Sequence, residues 1–264
     1  MDIFFSIFSL VLGLLIGSFL NCLVWRLKEG ESLGGRSHCR ACKRLVRWHD
    51  NIPVLSFCYL RGKCRDCRET ISWQYPIIEA LTGALFFFAA WRIAARTGLW
   101  IEWDAQNWLM LVRDWIFLSA LVAIFIMDLR WYVILDEITL PAAGALLVLN
   151  LLIGMSWQGL ALSATIGTGF FLIQYAVSRG RWIGGGDIRL GLLLGAALGW
   201  PGILLAIFLG YFGGAIVGSG LLAAGKKGWG SQLPLGTFLT VSAAVTLFWG
   251  EAILDWYLHL INFR

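Results

Sequence analysis

Apolar stretches recur along almost the whole chain, and this recurrence limits the possible folds more than any other feature of the sequence. Of the 264 residues, 59% are hydrophobic and 14% are charged, too few charges for a water-soluble domain of this length. The sequence therefore predicts an all-α polytopic membrane protein with about eight transmembrane helices, each long enough to cross roughly 30 Å of hydrocarbon. The apolar runs lie at 3–25, 77–95, 107–127, 137–154, 158–178, 187–200, 202–224 and 235–258.

The distribution of positive charge predicts the orientation of these helices. Most of the 21 lysines and arginines lie in the polar stretch 26–76 or in connections on its side of the membrane, and cytoplasmic loops are the ones that carry excess positive charge. We therefore expect a multi-pass membrane protein with its largest loop in the cytoplasm. Membrane insertion and contact with the lipid bilayer explain the net charge of +5, so no nucleic-acid partner is expected. The predicted domains are a first helix (1–25), a cytoplasmic domain (26–76) and a membrane core of about seven helices (77–264).

The cytoplasmic stretch contains five of the six cysteines, four of them in two C-x-x-C pairs. Each pair can place two thiolates around a tetrahedral ion, and four sulfurs complete the coordination shell, which is typical of structural zinc. The domain is too small and polar to bury much core, so we expect metal binding to supply much of its folding free energy. The predicted ligands are Cys39, Cys42, Cys64 and Cys67.

Other interpretations of this stretch remain open. The two pairs could be redox dithiols, although a cytoplasmic location and the doubled motif favour metal. His38 and His49 could compete as ligands, but four thiols already complete a site. Cys22 and Cys58 fall outside the pairs and are expected to be small buried apolar residues.

Two aspartates at the predicted cytoplasmic ends of apolar runs are candidate catalytic groups. Asp128 ends the third run and Asp187 begins the sixth, and the topology brings both to the same membrane boundary. Two carboxyl groups that share a site hold one proton between them, so one can activate water while the other protonates a carbonyl oxygen. This division of roles is the chemistry of aspartic proteases.

Three glycines, Gly184, Gly185 and Gly186, precede Asp187, and a backbone without side chains would let a substrate strand approach its carboxylate. Taken alone, Asp187 could instead be the N-cap of the sixth helix. Asp128 could likewise be an interfacial residue paired with Arg130 or Arg189.

Several blocks, in the same order along nearly the whole chain, resemble the type IV prepilin peptidase family of membrane aspartyl proteases. They are GSFLNCLVWRL (17–27), the double C-x-x-C loop with NIPVLSF (51–57), YPIIEALTG (75–83), DLRWYVILDEITLP (128–141) and GGGDIRL (184–190). The resemblance implies that Asp128 and Asp187 are the catalytic pair, and that Asp136 is a recurrent family aspartate outside that pair. It also implies cleavage of the short basic leader of type IV prepilins or type II secretion pseudopilins on the cytoplasmic side.

The resemblance further implies a second reaction, methylation of the new amino terminus with S-adenosylmethionine. The sequence has no glycine-rich nucleotide fingerprint for this methyl donor. Glu79 and Asn21, polar residues in or beside apolar runs, are candidates for supporting contacts or for the second reaction.

Three positions depart from the family pattern. Leu135 replaces a common proline before Asp136, Arg189 replaces a frequent lysine, and Gly185 replaces a larger residue. The three glycines, Asp136 and Arg189 are predicted to have supporting roles at the site. Two other classes of protein remain alternatives: an ion-coupled transporter, which should show an inverted repeat, and a non-catalytic assembly factor that docks a partner through the zinc loop.

Overall fold

The computed structural model describes residues 3–97, 104–226, 228 and 231–262. Over these residues the chain forms eight long helices and one short one, with no strand longer than an isolated bridge. The helices are α1 (Ile3–Glu29), α2 (Leu55–Tyr59), α3 (Gln74–Thr97), α4 (Ala105–Trp131), α5 (Asp136–Leu152), α6 (Trp157–Ser178), α7 (Gly185–Leu198), α8 (Gly202–Ala223) and α9 (Leu235–Asn262). A 3-10 helix, Trp48–Asn51, precedes α2.

The predicted all-α fold is confirmed, and each of the eight apolar runs lies in a long helix. Six of these helices are long and apolar enough to cross a membrane: α1, α3, α4, α6, α8 and α9. The other two, α5 with 17 residues and α7 with 14, are shorter than a typical span. The prediction of eight spans was therefore approximate.

The contacts divide the chain into two compact units, Met1–Asn107 and Trp108–Arg264. In the first unit, α3 packs along α1, and small residues allow their backbones to approach closely. A Cβ atom on Gly17 would lie 2.8 Å from the Cα of Glu79, and one on Gly13 would lie 2.7 Å from the Cα of Gly83. The predicted domain boundaries at residues 26 and 76 stay a prediction.

In the second unit, α6 and α7 make the closest helix contact. A Cβ atom on Gly167 would lie 2.3 Å from the carbonyl oxygen of Gly191, so neither glycine tolerates a side chain without a shift of backbone. Around this seam, buried residues of α4, α5, α7, α8 and α9 form one apolar core that includes Phe117, Leu146 and Leu194. The core fixes the short helix α7 among longer neighbours.

The far end of α7 is held by a buried polar side chain on α5. Asn150 donates hydrogen bonds to the carbonyl oxygens of Ala196 and Ala197, at 2.7 and 3.1 Å, and is itself bonded to Arg113. Helix carbonyls that end in an apolar layer need such partners because lipid offers none. Asn150 therefore lets α7 stop short and still satisfy its last turn.

Candidate active site and metal centre

The carboxylate of Asp128 lies in the last turn of α4, where 6% of the residue is exposed. Its Oδ2 accepts two hydrogen bonds from Thr237, one from the backbone N–H at 2.6 Å and one from the hydroxyl at 3.1 Å. Thr237 is the third residue of α9, and a helix amino terminus favours negative charge. Within the described part of the chain, Oδ1 accepts no hydrogen bond, so one oxygen is anchored and the other is free to react.

Asp187 lies at the third position of α7, and 8% of the residue is exposed. The N-cap of this helix is Gly184, so the interpretation of Asp187 as the N-cap is wrong. Instead, the Asp187 Oδ2 accepts the backbone N–H of Gly184 at 2.9 Å, as the acidic residue of a capping box does. Asp187 thus has the same pattern as Asp128, with one carboxylate oxygen held by a backbone donor.

Ile134, in the connection between α4 and α5, joins the surroundings of the two acids. A Cβ atom on Gly186 would lie 2.8 Å from the Cβ of Ile134, and one on Gly236 would lie 3.0 Å from both Ile134 and the carboxyl carbon of Asp128. The starts of α7 and α9 therefore pack on this one side chain, next to the end of α4. Asp128 and Asp187 are near enough for their charges to repel each other, and together with the shared packing on Ile134 this places both aspartates around one site.

The three glycines before Asp187 differ in what surrounds them. Gly186 needs to be glycine because Ile134 fills the space beside it, whereas a Cβ atom on Gly185 would have open space around it. Gly184 serves as the helix N-cap in extended conformation, with φ −84° and ψ 163°. The open side of Gly185 is the one where another chain could approach the site.

Asp136 and Arg189 form an ion pair beside this site rather than part of it. The Arg189 Nη1 lies 2.9 Å from the Asp136 Oδ1, and both side chains are more than 40% exposed. Arg189 therefore does not pair with Asp128, and Arg130 contacts the ring of Trp131 instead. Leu135, in place of the family's common proline, is the extended N-cap of α5, with φ −91° and ψ 138°.

Sequence reasoning missed three polar residues of this site. Thr237 holds Asp128, and the signal was a Gly-Thr pair two residues after Pro234, at the start of the last apolar run. Tyr211 on α8 lies close enough to Asp187 to feel its charge, and its hydroxyl donates to Gln174 on α6 at 2.9 Å. All three residues lie inside apolar runs that sequence alone does not orient.

The first unit contains a cluster of four thiols. Their sulfur atoms all lie within 4.8 Å of one another, and the Sγ atoms of Cys39 and Cys67 are 3.8 Å apart. Sulfurs bound at about 2.3 Å to a tetrahedral zinc ion are separated by roughly 3.8 Å, so the four thiols fit the metal. The members are those the sequence predicts: Cys39, Cys42, Cys64 and Cys67. Cys58 lies outside the cluster and is exposed, not buried as expected.

The two C-x-x-C pairs have the same backbone conformation. In the first, Cys39 donates to the carbonyl of Arg44, and the following turn ends at Lys43 with φ 57°. In the second, Cys64 donates to the carbonyl of Glu69, and the turn ends at Arg68 with φ 62°. An isolated β-bridge closes each loop, between His38 and Leu45 and between Lys63 and Thr70. Two matching hairpins thus present two sulfurs each.

An ion pair ties the 3-10 helix to the second hairpin. The Arg65 guanidinium donates to both oxygens of Asp50, at 2.5 and 2.8 Å, and 7% of the Asp50 side chain is exposed. This contact holds the pKa of Asp50 below its usual range. The bidentate geometry fixes the distance between the 3-10 helix and the hairpin that carries the second pair of cysteines.

A cavity of about 300 Å³ lies within the first unit, next to the thiol cluster. Its lining includes Cys39 and Cys64 together with Ser18, Trp25, Tyr75 and Glu79. Asn21, a second polar residue noted in the sequence, is buried and bonded to the carbonyls of Gly17 and Tyr75 and to the side chain of Gln74. These bonds tie α1 to the start of α3, so the contacts of Asn21 stabilise the packing of these two helices.

Comparison with known families and proteins divides the chain similarly. Residues 11–93 match the family model described as the bacterial peptidase A24 N-terminal domain, and residues 115–219 match the type IV leader peptidase family. The prepilin leader peptidase/N-methyltransferase of Aeromonas hydrophila is 32% identical over 95% of this chain and 93% of its own length. The protein of the same name from Legionella pneumophila is 30% identical over 94% of both chains. That from Stutzerimonas stutzeri is 29% identical over 97% of this chain and 94% of the relative. No solved structure gives a significant match.

Proposed function

Because the chain belongs to the type IV leader peptidase family, we propose that it cleaves the leader of type IV prepilins or related pseudopilins and then methylates the new amino terminus. The observation that carries the cleavage is the pair of buried carboxylates, Asp128 and Asp187, within one site. Within the described residues, one oxygen of each carboxylate accepts a backbone hydrogen bond and the other accepts none. The site thereby offers the two acid–base groups that peptide hydrolysis needs.

In the proposed mechanism the two aspartates share one proton. The ionised carboxylate takes a proton from a water molecule while that water attacks the scissile carbonyl carbon, and the other carboxyl group protonates the carbonyl oxygen. The two hydrogen bonds from Thr237 favour Asp128 as the ionised member, since Asp187 accepts one. Asp187 then holds the shared proton. The open side of Gly185 leaves room for the extended substrate segment.

We further propose that the four cysteines hold a structural zinc ion. All four positions of a tetrahedral shell are filled by sulfur, so the metal holds the two hairpins together and leaves no position for substrate. The supporting observation is the matched geometry of the two hairpins. The fold of the cavity next to the cluster then depends on the metal.

For the second reaction, the names of the relatives imply that S-adenosylmethionine is the methyl donor. When bound, the donor supplies a methyl group activated by a positively charged sulfur. The cavity of the first unit fits such a ligand, since the aromatic rings of Phe57 and Tyr75 line it beside polar side chains. The excess of positive residues in the loop supports a cytoplasmic location for this unit and for the substrate leader.

Replacement of each aspartate by asparagine tests the cleavage. We expect Asp128→Asn and Asp187→Asn each to reduce the rate of leader removal at least about 1,000-fold, because an amide neither takes nor gives the required proton. The measurement is the product mass after incubation of the purified full-length protein with a prepilin. Asp136→Asn is the matched control, with the same change at an exposed ion pair, and should stay within about 3-fold of the original rate. Leader removal that survives in either catalytic variant would overturn the role of that aspartate, and no leader removal by the unchanged protein would point to a transporter or a non-catalytic assembly factor.

A further inference from the structure

Glu79 is a buried carboxylate that the cleavage chemistry does not use. It lies near the start of α3, and 6% of the residue is exposed. Its Oε2 accepts the backbone N–H of Val54 at 2.7 Å, and the hydroxyl of Ser18 also donates to the carboxylate. Both donors are neutral, and within the described ranges no cationic side chain forms an ion pair with Glu79. A buried carboxylate with neutral partners attracts a cation.

The backbone around Glu79 is held in an unfavourable conformation. Val54 has φ 60° and ψ −50°, and Leu55 donates to the carbonyl of Pro53 at 2.6 Å, which makes a γ-turn. This turn is rare and strained, and positive φ is especially unfavourable for a β-branched residue. Strain of this kind persists at functional sites, where the surrounding contacts fix it. On the other side, close contact with Gly17 fixes the Glu79 backbone against α1.

The cations that line the same cavity are engaged elsewhere or exposed. Arg26 is buried and donates to four carbonyls of residues 33–36, and Arg40 stacks 3.5 Å above the ring of Trp25. Arg44 pairs with Asp66, Arg65 pairs with Asp50, and Arg47 is exposed. The negative charge of Glu79 is therefore left for a ligand of the cavity.

Methylation of an amino terminus needs such a carboxylate. An α-amino group has a pKa of about 7.7–8.0, so at neutral pH most of it is ammonium, which has no lone pair to form a bond. We propose that Glu79 binds the ammonium group that cleavage exposes and takes its proton during methyl transfer; this rests on the N-methylation proposed above. The nitrogen lone pair then forms the N–CH₃ bond while the S–CH₃ bond of S-adenosylmethionine breaks. The bonding electrons stay on sulfur, which becomes a neutral thioether, and the proton ends on Glu79.

The test uses the purified full-length protein in proteoliposomes and a mature pilin with a free amino terminus, so that methylation is measured apart from cleavage. With tritiated S-adenosylmethionine at pH 7, we expect Glu79→Gln to methylate about 100-fold more slowly than the unchanged protein. The deficit should shrink at least about 10-fold by pH 9, where the amine loses its proton without help. Glu29→Gln is the matched control, since Glu29 is an exposed glutamate of the same unit outside the lining of the cavity, and it should change the rate less than about 2-fold.

Binding measurements separate the amine from the methyl donor. Glu79→Gln should bind S-adenosylmethionine and uncharged S-adenosylhomocysteine within about 2-fold of the unchanged protein. A selective loss of S-adenosylmethionine would place Glu79 at the donor's sulfonium and overturn the assignment to the amine. Equal methylation rates, or a deficit that is constant from pH 7 to pH 9, would also overturn it.

Folding and the broader function are controlled in the same preparation. The zinc content of Glu79→Gln reports whether the first unit has folded, since the four cysteines lie in that unit. If Glu79→Gln does not fold, Glu79→Asp keeps a carboxylate, and its methylation deficit should be the same at pH 7 and pH 9. If the unchanged protein fails to methylate mature pilin, the proposed N-methylation itself is wrong. If it methylates and Glu79→Gln does so equally well, the role of Glu79 alone is wrong.

Discussion

Asp128 in the second unit and Glu79 in the first have closely similar surroundings. Each is a buried carboxylate near one terminus of a long helix. Each accepts one hydrogen bond from a backbone N–H at the start of another helix and one from a hydroxyl group. Thr237 supplies both donors to Asp128, whereas Val54 and Ser18 supply them to Glu79. The hydrogen bonds alone therefore do not tell the two sites apart.

The two sites differ in the charge that lies beside the carboxylate. Asp128 has a second acid, Asp187, whereas Glu79 has neither an acid nor a cation bonded to it within the described ranges. Two acids that share a proton suit hydrolysis, because one can take a proton while the other gives one. A single buried carboxylate suits an ammonium group, whose charge it balances. The neighbouring charge is thus the reason why different reactions are proposed for two similar carboxylates.

Loss of zinc should change the two proposed activities most unequally, because it acts on the first unit alone. Cys39→Ser or Cys64→Ser removes a thiol that belongs to the proposed zinc site and also lines the cavity of Glu79. We expect the zinc content to fall from about one per chain to below about 0.1, and methylation to fall about 100-fold. Elemental analysis and the two activity assays measure this.

The control for zinc loss is Cys58→Ser, since Cys58 is exposed and outside the cluster. The loss of cleavage activity should be at least about tenfold smaller than the loss of methylation activity, because the carboxylates proposed for cleavage lie in the other unit. Parallel losses of the two activities would contradict separate sites.

The glycines before Asp187 allow a sharper change within the cleavage site. Gly186→Ala places a Cβ atom 2.8 Å from the Cβ of Ile134, so the start of α7 must shift and carry Asp187 with it. We expect kcat to fall about 30-fold, since displacement of a catalytic group by a fraction of an ångström is costly. In Gly185→Ala the new methyl group lies in open space and fills little of it, so kcat should fall less than about 3-fold. A larger loss in Gly185→Ala than in Gly186→Ala would show that substrate access, rather than packing, requires the glycines.

The sequence predicted the helices and the thiol cluster because both depend on local patterns. An apolar run long enough to cross a bilayer is a helix wherever it lies, and two C-x-x-C pairs leave little choice of ligands. The family motifs likewise pointed to Asp128 and Asp187. The roles assigned to these two aspartates stay predictions until variants are tested.

What the sequence could not show depends on contacts between distant segments. Thr237 reaches Asp128 across 109 positions, and the bonds from Asn150 to the end of α7 span 46 and 47 positions. Polar residues inside apolar runs give no sign of the face on which they lie. The strained turn at Val54 is equally hidden, because valine is not a residue that predicts positive φ.

The hydroxyl of Thr237 should give the smallest effect and the finest test of how Asp128 is held. Thr237→Val keeps the backbone N–H and the side-chain volume but removes the hydroxyl that donates to Asp128 at 3.1 Å. Loss of one hydrogen bond to a charged group predicts a fall in kcat of about 5- to 10-fold with little change in KM, and Thr237→Ser should restore the rate. Thr246→Val is the matched control on α9, since the buried Thr246 hydroxyl has no hydrogen-bond partner among the described residues. If Thr237→Val leaves kcat unchanged, the backbone donor alone holds Asp128, and the parallel with the hydroxyl of Ser18 beside Glu79 loses its meaning.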